Sequence, residues 1–169
     1  IKVGSTVMKY LSGTYAQLES EFLRLRTVDG LTEVDSKQHV VEVLEREFRR
    51  SRRLAHPLSV LMFDIDGLGR INDEYGIMAG DDELREICCL AKPRLQPFSF
   101  GRYGGDEFLA VLRGIESNRA CIVGEELRKA VSNASLGIEA GVSGRIRISV
   151  GVATLSKDDR TAADILRRV

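Results

Sequence analysis

Hydrophobic positions along this 169-residue chain fall into blocks whose spacing changes from one block to the next. Residues 1–12 alternate and are rich in β-branched types around a Gly4-Ser5 turn signal, which predicts extended chain. From 14 to 28, Tyr15, Leu18, Phe22 and Leu25 recur at spacings of three and four among Glu and Arg, which predicts an amphipathic helix. Such a stripe suits a linker helix packed on its own domain or a short coiled coil pairing two chains. Asp29-Gly30-Leu31-Thr32 breaks the pattern and begins the main domain. A helix follows from about Ser36 to Leu54, its faces marked by Val40, Val43, Leu44, Glu47 and Phe48. His56-Pro57 ends it, because proline cannot continue a helix and restricts the residue before it.

Leu58 to Ile65 (LSVLMFDI) is a nearly continuous apolar run, as expected of a central strand covered on both faces. It closes on Asp64 and Asp66, which are predicted at its open, solvated end because a carboxylate inside such a strand is costly. Helical stretches are predicted over Leu68 to Tyr75 and Asp81 to Ala91, with Gly76 and Gly80 punctuating a turn between them. Ser99 to Leu112 reads as two strands around Gly104-Gly105, a pair expected to supply the positive φ angles of a tight hairpin. Asn118 to Val131 is a further helix, 132–144 a Ser-, Gly- and Asn-rich loop, Arg145 to Thr154 a strand, and 161–169 the start of a helix. The order, without internal repeat, predicts one α/β domain.

Composition narrows the class. Hydrophobic residues make up 43% of the chain and charged residues 30%, enough for a real core under a soluble surface. Lys and Arg number 25, as do Asp and Glu, so no net field is present to gather nucleic acid or an anionic membrane. The densest local charge, Arg46 to Arg53 (REFRRSRR), reads as a solvated helix face. No run approaches the ~20 apolar residues of a membrane span. Cys88, Cys89 and Cys121 form no CxxC pair; the adjacent Cys88 and Cys89 read as small buried hydrophobes in a reducing compartment, the cytoplasm. His39 and His56 fit surface or turn positions. The start, Ile1-Lys2-Val3-Gly4, has neither initiator methionine nor signal peptide and reads as a cut from within a longer protein.

Two acidic groups carry the candidate chemistry. Asp64 and Asp66 close one strand, and Asp106 and Glu107 follow the Gly-Gly turn. If the two strands are neighbours, the carboxylates converge at one sheet edge. There they either hold a hard cation such as Mg²⁺, which takes its remaining ligands from water and phosphate, or are the ordinary acidic residues of a turn.

Arg102-Tyr103-Gly104-Gly105-Asp106-Glu107-Phe108 resembles the signature of the GGDEF family of bacterial diguanylate cyclases. Asp29-Gly30-Leu31-Thr32 resembles its DxLT entry, and Pro57-Leu58-Ser59 with Asp64-Ile65-Asp66 its PLS and DID strand. Ile71-Asn72-Asp73, Gly76 and Gly80-Asp81 resemble its INDxxGHxxGD segment, and Ser149 to Ala153 its SIGVA strand. The resemblance covers 29–169 in order. It implies a nucleotidyl cyclase, polymerase palm-like fold with a mostly antiparallel sheet flanked by helices. It also implies condensation of two GTP into cyclic di-GMP, with pyrophosphate released, by a homodimer using Mg²⁺ or Mn²⁺. Carried over, Asp64 and Asp106 hold metal with the Ile65 carbonyl, Glu107 lies near the attacking ribose hydroxyl, and Gly67, Leu68, Gly104 and Gly105 line the nucleotide. Asn72 and Asp81 read the guanine base, whose N1–H and N2–H₂ donors adenine lacks at those positions; by residue type alone helix capping beside Gly76 and Gly80 is the favoured reading of both.

Four departures qualify the resemblance. Leu68-Gly69 replaces Phe-Lys, removing a phosphate contact that Arg70 next door replaces only in part. Ile77 stands for the usual histidine. Leu95 to Phe98 replaces the RxxD of the product-inhibition site, so no ordinary site of that kind is expected. The chain stops before the family's ADxALYxAKxxGRN segment. Residues 1–12 are in turn similar to the end of a forkhead-associated domain, which implies a phosphopeptide or protein partner upstream. The expected organisation is a domain remnant over 1–12, a linker helix over 13–28 and a catalytic domain over 29–169. The alternatives to an active cyclase are a non-enzymatic GTP or cyclic di-GMP sensor and a dimerising scaffold.

Overall fold

The computed structural model describes residues 2–3, 6–7, 23, 26–134 and 146–169. The first block appears there as two short strands, β1 (Lys2–Val3) and β2 (Thr6–Val7), paired antiparallel with Lys2 opposite Val7. Tyr15, Leu18, Phe22 and Leu25 lie outside the described residues. Leu23, Arg26 and Thr27 are helical, and the Thr27 hydroxyl donates to the Leu23 carbonyl at 2.9 Å.

The main domain runs α1 (Lys37–Leu54), β3 (Leu58–Ile65), α2 (Leu68–Tyr75), α3 (Ile77–Leu95), β4 (Ser99–Arg102), β5 (Glu107–Arg113), α4 (Ser117–Asn133), β6 (Ile148–Thr154) and α5 (Ala162–Leu166). Four strands form one sheet in the order β4-β5-β3-β6, every neighbouring pair antiparallel. Helices cover both faces, as the continuous apolar run of β3 requires. Leu58 and Val60 pack with Val40, Leu44 and Phe48 of α1 and Ile165 of α5. Leu61, Phe63 and Ile65 face the other way, with Ile71 of α2, Ile87 of α3 and Leu127 of α4. Period-two alternation along β3 thus sorts one strand into two cores.

Several expectations are corrected. α3 begins at Ile77, four residues before the predicted Asp81, so Gly80 lies within the helix rather than in a turn. The helix also continues to Leu95 through Pro93, which sits near its end on the exposed side. β6 starts at Ile148, later than Arg145. Of the adjacent cysteines only Cys88 is buried, and Cys89 is exposed because successive helical positions face about 100° apart; Cys121, on α4, is exposed too. The basic run of α1 is a solvated face as read, with Arg46, Arg49 and Arg50 all more than half exposed. His56 is exposed and His39 half-buried. Residues 135–144 of the predicted loop lie outside the described residues. No described helix is long and apolar enough to cross a membrane.

Candidate active site

Strand register brings the acidic groups together. Asp64 of β3 stands directly opposite Glu107 of β5 on one side and Ser149 of β6 on the other. Partners in register point to the same face, so these three side chains share the face away from Phe63 and Ile65. They border a cavity of about 310 Å³ that Met62 and Val169 also line. Asp66, one residue past β3, accepts a hydrogen bond from the Ser149 hydroxyl at 2.7 Å. Asp64, Asp66 and Glu107 are exposed and Asp106 half-buried, as predicted for the open end of the sheet.

The turn holding Asp106 has its own logic. The Glu107 amide donates to the Gly104 carbonyl at 3.2 Å and the Gly104 amide to the Glu107 carbonyl at 3.1 Å. Gly105 and Asp106 are therefore the central pair of a four-residue turn. Neither glycine has a positive φ, contrary to the expectation from the Gly-Gly pair; among the described glycines that conformation belongs to Gly67, Gly76 and Gly114. Close approach accounts for Gly104 alone. A Cβ at Gly104 would lie 3.0 Å from a Glu107 carboxylate oxygen, whereas one at Gly105 would meet nothing within 4 Å, leaving the outer side of the turn open.

Carboxylates crowd this end of the sheet. Burial pushes the Asp64 carboxyl above its ordinary value, and the nearby charges of Asp66 and Asp106 push it further. Among the described residues no three His, Cys, Asp or Glu side chains take up a metal-holding arrangement. The donor set nevertheless fits a hard divalent ion. Two mutually repelling carboxylates, Asp64 and Asp106, with the Ile65 carbonyl, leave positions for water and phosphate oxygens, as Mg²⁺ prefers.

Gly67 and Leu68 follow directly. Gly67 is left-handed, with φ of 80°, and starts α2 without any side-chain cap, so the first-turn amides keep donors free. Nothing lies within 4 Å of where a Cβ would sit at Gly67 or Gly69. Asn72 lies about 7.5 Å farther along α2 by its rise per residue. Its Oδ1 is buried without a hydrogen-bond partner, which is costly unless a ligand donor completes it. Gly80 is a glycine for this reason: a Cβ there would overlap the Asn72 side chain. Asp81, half-buried, is next to it in α3. The predicted residues thus form two groups, the carboxylates and glycines at the sheet end and the Asn72–Asp81 pair on the two helices.

Sequence reasoning missed Arg102 as a functional group. Its Nε and Nη2 donate to the Gly105 carbonyl at 2.9 and 2.7 Å. Its Nη1 stands 3.5 Å from Asp29 Oδ1. Burial raises the Asp29 carboxyl, but hydrogen bonds from the Thr32 hydroxyl and amide, the Arg102 charge and the Leu31 amide outweigh it and hold the group below its ordinary value. The signal was present in the sequence, since both residues stand within the quoted motifs.

A family model described as diguanylate cyclase, GGDEF domain, matches residues 26–169. The chain belongs to the GGDEF family. This GGDEF domain is 32% identical over 153 residues to diguanylate cyclase A of Treponema denticola, covering 88% of this chain and 41% of that protein. It is 29% identical to a diguanylate cyclase of Vibrio cholerae, covering 90% of this chain and 47% of that protein. The chain therefore spans less than half the length of these curated relatives. Among solved structures, the active GGEEF domain of a Vibrio cholerae diguanylate cyclase superposes with a TM-score of 0.70 at 30% identity, over 76% of this chain and 81% of that one. The GGDEF domain of DgcB from Caulobacter crescentus, solved in complex with c-di-GMP, superposes with a TM-score of 0.78 at 24% identity, over 83% and 84%, a likeness of fold.

Proposed function

We propose that this domain condenses two GTP into cyclic di-GMP as one half of a homodimer. The observation that carries the reading is the register pairing of Asp64 with Glu107, with Asp106 close enough to raise the Asp64 carboxyl, at the open end of the sheet. Each domain holds one GTP. The ribose 3′-oxygen of each attacks the α-phosphorus of the other; in each attack the bond from the α-phosphorus to the bridging oxygen breaks, so two pyrophosphates leave per cyclic di-GMP.

Asp64, Asp106 and the Ile65 carbonyl would hold Mg²⁺ or Mn²⁺, which when bound offsets phosphate charge and lowers the pKa of a coordinated hydroxyl. Glu107 lies beside the nucleotide hydroxyl and takes its proton. Gly105 and Gly67 let phosphate approach the backbone, where the uncapped amides of α2 donate. Asn72 Oδ1 and the Asp81 carboxylate accept from the guanine N1–H and N2–H₂, donors that adenine does not present there. The 1–12 segment as a domain remnant and 13–28 as a dimerising linker belong to the same reading.

Incubating the complete, demonstrably dimeric protein with GTP and Mg²⁺ tests it. Cyclic di-GMP is expected, with Asp106→Asn abolishing it. Absence of product from a dimer that still binds GTP would replace the enzyme by a sensor, the reading that Gly69 favours by removing a phosphate contact.

A further inference from the structure

The carboxylate edge must accept a triphosphate, yet the cations around it are few. Arg102 is committed to the Gly105 carbonyl and Asp29. Arg70 is exposed on α2, and position 69 beside it is a glycine with open space around it. Arg147 differs. The β3–β6 register pairs Asp64 with Ser149 and Ile65 with Ile148, and the Asp66 amide continues it by donating to the Arg147 carbonyl at 3.0 Å. Ile146 and Ile148 are buried in the core on the helical face of α2, α3 and α4. By alternation Arg147 shares the opposite face with Ser149, Asp64 and Glu107. Its Cα lies one strand over from Asp66, about 4.8 Å away in the pairing direction, and about 7 Å along β6 from Ser149. The side chain is exposed, and no hydrogen bond or ion pair among the described residues engages its guanidinium.

We propose that Arg147 grips the β- and γ-phosphates of bound GTP, supplying from β6 the cationic contact that Gly69 does not supply from α2. The inference rests on the cyclase reading above. A guanidinium is suited to the task because it stays charged and meets two phosphate oxygens at once in a planar fork. It also lowers the repulsion a triphosphate meets from Asp64, Asp66, Asp106 and Glu107. Ordinary strand propensity gives no reason for a long cation at this place, one residue before β6 and beside a row of carboxylates.

The test is equilibrium binding to the complete dimeric protein of α,β-methylene-GTP, which cannot release pyrophosphate, with GMP for comparison. Arg147→Gln should weaken the triphosphate analogue about ten- to a hundredfold, the range for losing a charged hydrogen bond, and change GMP affinity less than about twofold. Arg147→Lys should fall between, and Gly69→Lys in the Arg147→Gln background should restore part of the loss. Thermal melting of each variant verifies folding, which an exposed side chain should not disturb. Equal affinities for wild type and Arg147→Gln, or equal losses for both ligands, would overturn the role of Arg147 while leaving the cyclase reading intact. A wild-type dimer that binds neither nucleotide would overturn both.

Discussion

Two nitrogens of Arg102 converge on the carbonyl oxygen of Gly105, at 2.9 and 2.7 Å, and the same guanidinium faces Asp29. The Gly104–Glu107 turn and the entry loop of the domain therefore share one cation. The entry loop is itself bonded outward: the Ser36 hydroxyl donates to the Arg26 carbonyl at 2.7 Å and the Ser36 amide to the Thr27 carbonyl at 2.8 Å. It is also bonded inward, Arg102 N donating to Asp35 O at 2.9 Å and Asp35 N to Phe100 O at 3.0 Å. A continuous chain of hydrogen bonds thus runs from the helical residues before the domain to the loop that positions Asp106.

Breaking the clamp should loosen the turn more than it weakens nucleotide binding. Arg102→Ala should lower kcat for cyclic di-GMP formation about tenfold or more while leaving KM for GTP within about threefold, because the turn sets the attack geometry. Arg102→Lys should recover only part, as an ammonium cannot reproduce the fork. Asp29→Ala combined with Arg102→Ala should cost less than the sum of the single changes, since both remove one interaction. Additive losses would show that the two residues act separately.

Crowding of carboxylates at this edge should cost stability in metal-free buffer. Relieving the repulsion on Asp64 by Asp64→Asn should raise the thermal midpoint in metal-free buffer by about 2 °C, while cyclic di-GMP formation falls to background. With the repulsion that Mg²⁺ would relieve already gone, added Mg²⁺ should stabilise the variant less than the wild type. An unchanged or lower midpoint in calorimetry, without metal, would show that carboxylate repulsion does not destabilise this edge.

Gly80→Ala isolates the second half of the site. The added methyl overlaps the Asn72 side-chain oxygen, the tip of a short side chain that yields by rotating. Stability should fall by about 1 kcal/mol, but Asn72 should lose its place. KM for GTP should rise about tenfold, and discrimination against ATP should shrink, with kcat at saturating GTP little changed. A large loss of kcat at constant KM would place the effect outside base recognition.

Legibility in the sequence followed the range of the interactions involved. Helical periodicity was enough for α1 and α4, and the nearly continuous apolar run LSVLMFDI foretold a strand covered on both faces. Positions governed by tertiary space were misread: Gly80 looked like a turn but is room for Asn72, and Gly104 looked like a positive-φ residue but is room for Glu107. Glu83 escaped notice because helix periodicity shows which face it shares, not whether anything pairs with it. Arg147 was within reach, since Ile146, Ile148, Val150 and Val152 line one core and the residue between the first two must face the other way.

Glu83 gives the clearest dependence on pH. It lies in α3 with no exposed surface, and neither carboxylate oxygen has a hydrogen-bond partner. Burial, with the charges of Glu86 and Asp82, raises its pKa from 4.5 to about 7. At low pH both folded and unfolded chains carry the proton. Between about 4.5 and 7 the unfolded chain releases it while the folded chain keeps it, so stability contributed by this group falls as pH rises through that window and levels off above it. Glu83→Val removes the carboxyl where its neighbours on the buried face of the helix, Ala79, Leu84 and Ile87, are apolar. The variant should be more stable by about 1–3 kcal/mol at pH 8, the usual cost of an unpaired buried polar group, and by much less at pH 4. Urea unfolding of wild type and variant at both pH values measures this directly. A gain equal at the two pH values would mean that shape, rather than ionisation, makes Glu83 costly.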